Sequence, residues 1–363
     1  MVELVAPICL ILAALAAVLA VFNFFTLASA KPARANSISK KVAILIPFRN
    51  EINNVQASLA SAKSQKLLTQ YNIYALDDFS SDGTYKIINN ETGITRVTAQ
   101  ELPNGWLGKL WASWQLAQKA EQDFQPDYLV FLDADVRLNQ NAIAAAITEK
   151  PSWDFISPYP KQLTRGFIPF IFQPLLQWSW LSSIPLAIAH RFKIKSMIVA
   201  NGQFLIVKKQ AYFSVDGHRS VKNQVLDDLQ LARKLTAANY LGGVINGSKI
   251  SSCLMYESTA DLFGGYRKSL WAGFGGIIGS LVAFLILFIT GVLNFIYFST
   301  NIFFTYSVIF ILISRLLATL KTGSDFRSVI FHPLAIATLL YLFITSWIGK
   351  FQGTLTWRDR KLI

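Results

Sequence analysis

The sequence predicts an α/β domain with a mainly parallel sheet, flanked at both ends by apolar helices. Three observations carry this. Between about residues 39 and 266, short apolar runs alternate with runs of helical spacing. Two of the short runs end in acidic clusters, Asp77-Asp78 after Tyr71–Leu76 and Asp133-Ala134-Asp135 after Tyr128–Leu132, and a third acidic pair, Asp227-Asp228, opens a helical run. The 363 residues are 53% hydrophobic and only 15% charged, against about a quarter charged in soluble domains, and the apolar excess sits at the two ends. Alternating strands and helices imply a parallel sheet covered on both faces. Carboxylates at the carboxyl ends of such strands point into one crevice.

Val5–Leu27 is almost wholly apolar and meets the roughly 20 residues needed to span a bilayer. It lacks the basic start of a signal peptide and is longer than one, so 1–30 reads as an anchor. Lys31, Arg34, Lys40 and Lys41 follow it, which places the middle of the chain in the cytoplasm of a cell-membrane protein. Lys41–Ile46 is a buried strand stopped by Pro47. Glu51–Leu68 has Ile52, Val55, Leu59 and Leu67 at helical spacing. Ser80–Thr84 is a turn capping a helix with Tyr85, Ile87 and Ile88. A helix over Trp106–Ala120, a strand over Asp127–Leu132 and a helix over Asn139–Thr148 come next. Trp153–Ser157 and Gln203–Val207 are strands, and Asp227–Leu235 is a helix.

Gly166–Ala189 has no charge over 24 residues but holds Pro169, Pro174, Pro185, Gln173 and Gln177. Each interior proline costs a helix about 3 kcal/mol, so 166–190 reads as an interfacial insert with Trp178 and Trp180 at head-group depth, or as an apolar flap over the crevice. A full span there would put a bilayer between Asp135 and Asp228. Trp271–Ser314 is free of charge and Val329–Ile348 nearly so; 271–350 therefore holds two or three more spanning helices, and 351–363 is a basic tail. Three such helices would leave that tail outside, against the charge rule, unless one segment is re-entrant.

Cys9 and Cys253 are too few for a metal or disulfide framework. The net charge of +13 finds no basic face with interleaved aromatics, which excludes nucleic acid as the partner; anionic lipid head groups and an anionic nucleotide suit it better. Asp133 and Asp135, two carboxylates one residue apart at a strand end, suit a hard divalent cation that keeps places for phosphate oxygens; read alone they are also a solvated acidic turn. Lys109, behind a glycine at a helix start, is placed for a phosphate or is a surface lysine. Asp227 and Asp228 repel one another, which raises one pKa and suits a general base; they also cap a helix amino end.

Asp77-Asp78-Phe79-Ser80-Ser81-Asp82-Gly83-Thr84 and Pro47-Phe48-Arg49-Asn50-Glu51 resemble the strand ends of family 2 glycosyltransferases of the GT-A fold. Gly105-Trp106-Leu107-Gly108-Lys109-Leu110-Trp111-Ala112 is similar to a run in hopanoid-associated and carotenoid members. The resemblance implies an inverting, hexosyltransferase-type enzyme that uses Mg²⁺ or Mn²⁺ and a nucleotide-diphosphate sugar, a UDP-sugar foremost. On it, Pro47, Glu51, Asp77, Asp78, Lys109, Asp133 and Arg267 bind the donor, and Asp133 and Asp135 hold the metal. Asp228 is the base beside Asp227, which replaces the usual Glu, while Gly202, Gln203 and His218 lie toward the acceptor. The Gln-x-x-Arg-Trp box of processive polysaccharide synthases is missing at Gly264–Trp271. Thr356–Arg360 is similar to the tail of lipid-acting members. The expectation is therefore a cytoplasmic GT-A catalytic domain over 39–266 that moves one sugar to a lipid or lipid-linked acceptor. The rivals are a polysaccharide synthase and a non-catalytic nucleotide- or lipid-binding membrane protein.

Overall fold

Val42–Ile46 is fully buried, as a strand covered on both faces must be, and it lies near the middle of a seven-stranded sheet. In the computed structural model, which describes residues 2–357 and 360–361, the strands are β1 (Val42–Phe48), β2 (Tyr71–Asp77), β3 (Thr95–Val97), β4 (Tyr128–Leu132), β5 (Val136–Leu138), β6 (Phe155–Tyr159), β7 (Lys161–Gln162), β8 (Phe204–Lys208), β9 (Gly242–Asn246) and β10 (Ser251–Cys253). The large sheet has the order β3-β2-β1-β4-β8-β6-β9. β1 is parallel to both β2 and β4, and β6 to β9. The predicted fold class is the observed one: α/β with a mostly parallel sheet, and apolar helices toward both ends of the chain.

Strand order reverses at β1. The chain first builds outward through β2 and β3, then returns to place β4 on the other side. Such a switch point opens a crevice at the carboxyl ends of the two central strands. β8 departs from the parallel pattern, pairing antiparallel with β4 in the register Leu132↔Phe204. The start of β8 is thereby set beside the end of β4, so that Gln203 accepts a hydrogen bond from the Asp133 N–H at 3.0 Å.

Other elements differ from the sequence reading in specific ways. The helix expected over Glu51–Leu68 is confined to Val55–Lys63. Its flanks are turns: Leu67 has φ +61° and is partly exposed, and the Ile52 N–H donates to the Asp82 carboxylate at 2.9 Å. That carboxylate also accepts from the Thr84 N–H at 3.0 Å, the capping role expected of this turn. β9 was hidden by Gly242 and Gly243, which weaken any strand signal. The fold needs glycine at Gly242, because a Cβ there would lie 2.1 Å from the Phe155 carbonyl oxygen.

The chain divides into two units, an α/β unit of Ala28–Lys161 and Ile188–Leu254, and a helical unit of Met1–Leu27, Gln162–Ala187 and Met255–Ile363. Among the described residues, four helical segments are long and apolar enough to cross a membrane: Val5–Thr26, Ile277–Ile296, Ile302–Thr322 and Phe326–Phe351. The uncharged stretch at 166–190 forms the short helices Phe167–Phe172, Pro174–Leu181 and Leu186–Arg191. Trp178 and Trp180, placed at head-group depth by the sequence, are buried inside the helical unit. Arg358 and Asp359 of the tail signature lie outside the described residues.

Asn23 shows how the helical unit tolerates polarity. It is fully buried within the first apolar helix. Its amide donates to the carbonyls of Leu181 at 2.8 Å and Ile184 at 2.7 Å, and its oxygen accepts from the Leu186 N–H at 3.1 Å. These are the unpaired backbone groups where one short helix ends and the next begins. Asn23→Leu keeps the branching at Cγ but strips these partners, so it is expected to cost on the order of 3 kcal/mol. A lower thermal unfolding midpoint in detergent is the readout, and an unchanged midpoint refutes the capping role.

Candidate active site

At the switch point, the carboxyl ends of β1 and β4 and the start of the helix Asp227–Ala237 line one cleft in the α/β unit. Its walls include Pro47, Lys109, Asp133, Gly202, His218 and Asp227-Asp228. The acids come from separate parts of the sequence, but Lys109 links them. Its ammonium, one residue into the helix Gly108–Asp123, lies 2.6 Å from Asp133 Oδ1 and 2.8 Å from Oδ2. Burial opposes the charge on Lys109, but the nearby Asp133, Asp227 and Asp228 outweigh it and hold the ammonium above its ordinary range.

Asp133 and Asp135 occupy the tight turn between β4 and β5, closed by the Val136 N–H donating to the Asp133 carbonyl at 3.1 Å. Burial, then the neighbouring Asp133 and Glu51, pushes the Asp135 carboxyl above the usual range. The Cys253 thiol hydrogen-bonds to it, and burial keeps that thiol protonated. Asp135 Oδ1 is buried with no hydrogen-bond partner among the described residues. An orphaned carboxylate oxygen beside a second carboxylate is a donor set that a hard cation satisfies.

Asp228 is held from both sides. Oδ2 accepts from the Gly202 N–H at 2.7 Å and Oδ1 from the Leu229 N–H at 2.7 Å. Burial, then Asp227, raises its pKa above that of an ordinary carboxylate, against these two N–H groups and Lys109. The approach at Gly202 is tight: a Cβ there would sit 3.1 Å from the Asp228 Cβ.

His218 is buried at the cleft wall. The Tyr212 hydroxyl accepts from the His218 backbone N–H at 3.2 Å and lies 2.9 Å from its Nδ1. Burial, then Lys109, lowers the imidazole pKa to about 3, so the ring is neutral at any ordinary pH.

The remaining predicted residues fall in three places. Asp78 is buried at the end of β2, its N–H on the Phe48 carbonyl at 2.8 Å and its carboxylate 3.9 Å from Arg49. Asp77 Oδ2 accepts from the Ser80 N–H at 3.0 Å, and Glu51 accepts from the Asn54 amide at 2.9 Å; these two acids sit at the same ends of β1 and β2. Gln203, expected toward an acceptor, is buried, and its amide donates to Cys253 Sγ at 3.0 Å, so it braces the aspartate turn. Arg267 belongs to the helical unit, where its Nε donates to the Thr345 carbonyl at 3.2 Å. Sequence reasoning missed Cys253 and Tyr212, since a lone cysteine or tyrosine in an apolar run carries no signal of what it touches.

Residues 43–185 match the family Glycosyl transferase family 2. A 4,4'-diaponeurosporenoate glycosyltransferase from Staphylococcus haemolyticus is 25% identical over 271 residues, covering 71% of this chain and 68% of the relative. Its namesake from Staphylococcus aureus is 23% identical, covering 89% and 88%. The fold is similar to that of a mannosyltransferase from Pyrobaculum calidifontis solved with GDP-Man and Mn²⁺, at a TM-score of 0.50 and 12% identity, over 96% of this chain and 99% of that one.

The wall at His218 depends on its neighbour. Gly217 has φ +40°, and a Cβ there would lie 2.1 Å from Tyr212 Cζ. Gly217→Ala is expected to cost on the order of 3 kcal/mol, read as a lower unfolding midpoint. A midpoint within error of wild type rules out this packing of Tyr212.

Proposed function

We propose that the family 2 glycosyltransferase domain of this chain is inverting, and that it moves a single sugar from a nucleotide-diphosphate donor, a UDP-sugar foremost, to a lipid or lipid-linked acceptor. The observation that carries the reading is the meeting of the aspartate turn and the Asp227-Asp228 pair at Lys109, in the crevice between β1 and β4. Four spanning-length helices among the described residues support a multi-pass membrane protein, and Lys31, Arg34, Lys40 and Lys41 after the first of them support a cytoplasmic side for this domain. The names of the staphylococcal relatives support an extended apolar acceptor.

Asp228 removes the proton of the acceptor hydroxyl as that oxygen bonds to the anomeric carbon. The bond from that carbon to the donor's phosphate oxygen breaks, and the nucleoside diphosphate leaves with the electron pair. Attack from the face opposite the leaving group inverts the configuration. Two backbone N–H groups aim the Asp228 carboxylate, and its raised pKa makes it a stronger base than a free aspartate. Pro47, Glu51, Asp77 and Asp78 take the nucleoside side; Gly202 and His218 face the acceptor. Asp135, helped by Asp133, is the seat for Mg²⁺ or Mn²⁺, which when bound offsets negative charge on the diphosphate. Lys109 then serves the phosphates. Arg267 is assigned to the donor phosphates by sequence resemblance.

Membranes containing the protein, supplied with nucleotide sugars, are expected to yield a labelled lipid carrying one sugar, and a chelator to abolish the label. Asp228→Asn is expected to lower turnover by about 10³-fold while donor binding persists. Retained turnover removes Asp228 as the base. Label that lengthens with time indicates a polymer synthase, and donor binding without nucleotide release indicates a non-catalytic protein.

The pH profile supplies a second test. Asp228 works only when ionised, so activity rises with pH through its folded pKa. That pKa is raised, so the acid limb lies above the ordinary aspartate value of about 3.9. Asp227→Asn removes a like charge and is expected to move the limb toward lower pH. A limb unmoved by that change places the titration on another group.

A further inference from the structure

Within the helical unit, Arg315 lies inside the candidate span Ile302–Thr322 and is the largest fully buried side chain among the described residues. Among the described residues, only Nη2 has a hydrogen-bond acceptor, the Ile171 carbonyl at 3.4 Å. Nε and Nη1 have no partner among the described residues, and none of the ion pairs recorded there includes Arg315. A guanidinium is always charged and has donors only. An ionisable side chain at this depth, with no counter-charge, is costly to keep and points to a function.

A second group waits beside it. His332 is fully buried at the start of the helix His332–Phe351, and neither ring nitrogen has a partner among the described residues. Trp178 is a wall shared by the two. Its ring centroid lies 6.0 Å from the Arg315 guanidinium carbon and 4.9 Å from the His332 ring. Its own N–H is already used, donating to Ser314 Oγ at 2.8 Å. The cluster therefore offers unused donors and holds no carboxylate.

From this we infer a binding site, lined by Arg315, His332 and Trp178, for an oxyanion carried on an apolar chain, that is, the carboxylate or phosphate head of an acidic lipid. The head supplies the missing acceptors and the counter-charge. The chain explains how an anion reaches this depth, because Ile313, Leu316 and Leu320 leave an apolar exterior on the same helix. A free anion would have to cross that surface without compensation. The site stands whether or not the cleft of the α/β unit transfers a sugar.

Equilibrium binding to the full-length protein in a neutral detergent tests it, with oleate, dodecyl phosphate, dodecanol and inorganic phosphate as probes. One or both lipid anions are expected to bind at least tenfold more tightly than dodecanol, and which of them wins identifies the head. Arg315→Met is expected to abolish that preference while leaving dodecanol binding unchanged. Without ligand, Arg315→Met should unfold at the same or a higher temperature, because it removes an uncompensated charge. His332→Phe should weaken anion binding in part, and it carries the test if the arginine variant does not fold. Two results overturn the inference: lipid anions binding no better than dodecanol, or inorganic phosphate binding as tightly as the lipid anions. A sharp fall in the unfolding midpoint of Arg315→Met, with no anion preference in wild type, would mark Arg315 as purely structural.

Discussion

The cleft of the α/β unit depends on the ammonium of Lys109. Asp133, Asp227 and Asp228 each raise its pKa, and without a cation those acids would repel one another in a place that water only partly reaches. Like charges at close range do not all stay ionised. Lys109 lets the cluster exist in advance of any ligand, and its position on both oxygens of Asp133 stands in for a cation there. Lys109 thus offsets part of the negative charge of the cluster.

Backbone geometry sets this chemistry up. The reversal of strand order at β1 opens the crevice, and the antiparallel run of β8 delivers Gly202 and Gln203 to the end of β4. From there one backbone N–H aims Asp228 and one carbonyl tethers the aspartate turn. Gln203, Cys253 and Tyr212 then hold the groups that face the cleft. None of these three is charged, and each has little freedom, because its polar atoms are committed to a neighbour.

The helical unit shows two opposite solutions for polarity among apolar helices. Asn23 spends its amide on three backbone groups that its neighbours leave open. Arg315 keeps two nitrogens without hydrogen-bond partners among the described residues. The contrast is chemical: an amide offers donors and an acceptor, so the protein can satisfy it from within. A guanidinium offers donors alone together with a full charge, and only an anion matches it.

Much was legible in the residues themselves. The apolar ends and the α/β alternation follow from hydrophobic periodicity, which each segment carries locally. The acidic clusters at strand ends were visible because a carboxylate pair after an apolar run is rare and expensive. Helix ends were less so, as at Leu67, where a left-handed backbone stops a pattern that side-chain spacing would continue. What only the tertiary structure decided was direction and contact. The antiparallel pairing of β8, the grip of Lys109 on Asp133, the bracing by Cys253 and the burial of Arg315 beside His332 all join residues far apart in the chain. A side chain's spacing reports its own face, but its partner is set by how the segments pack.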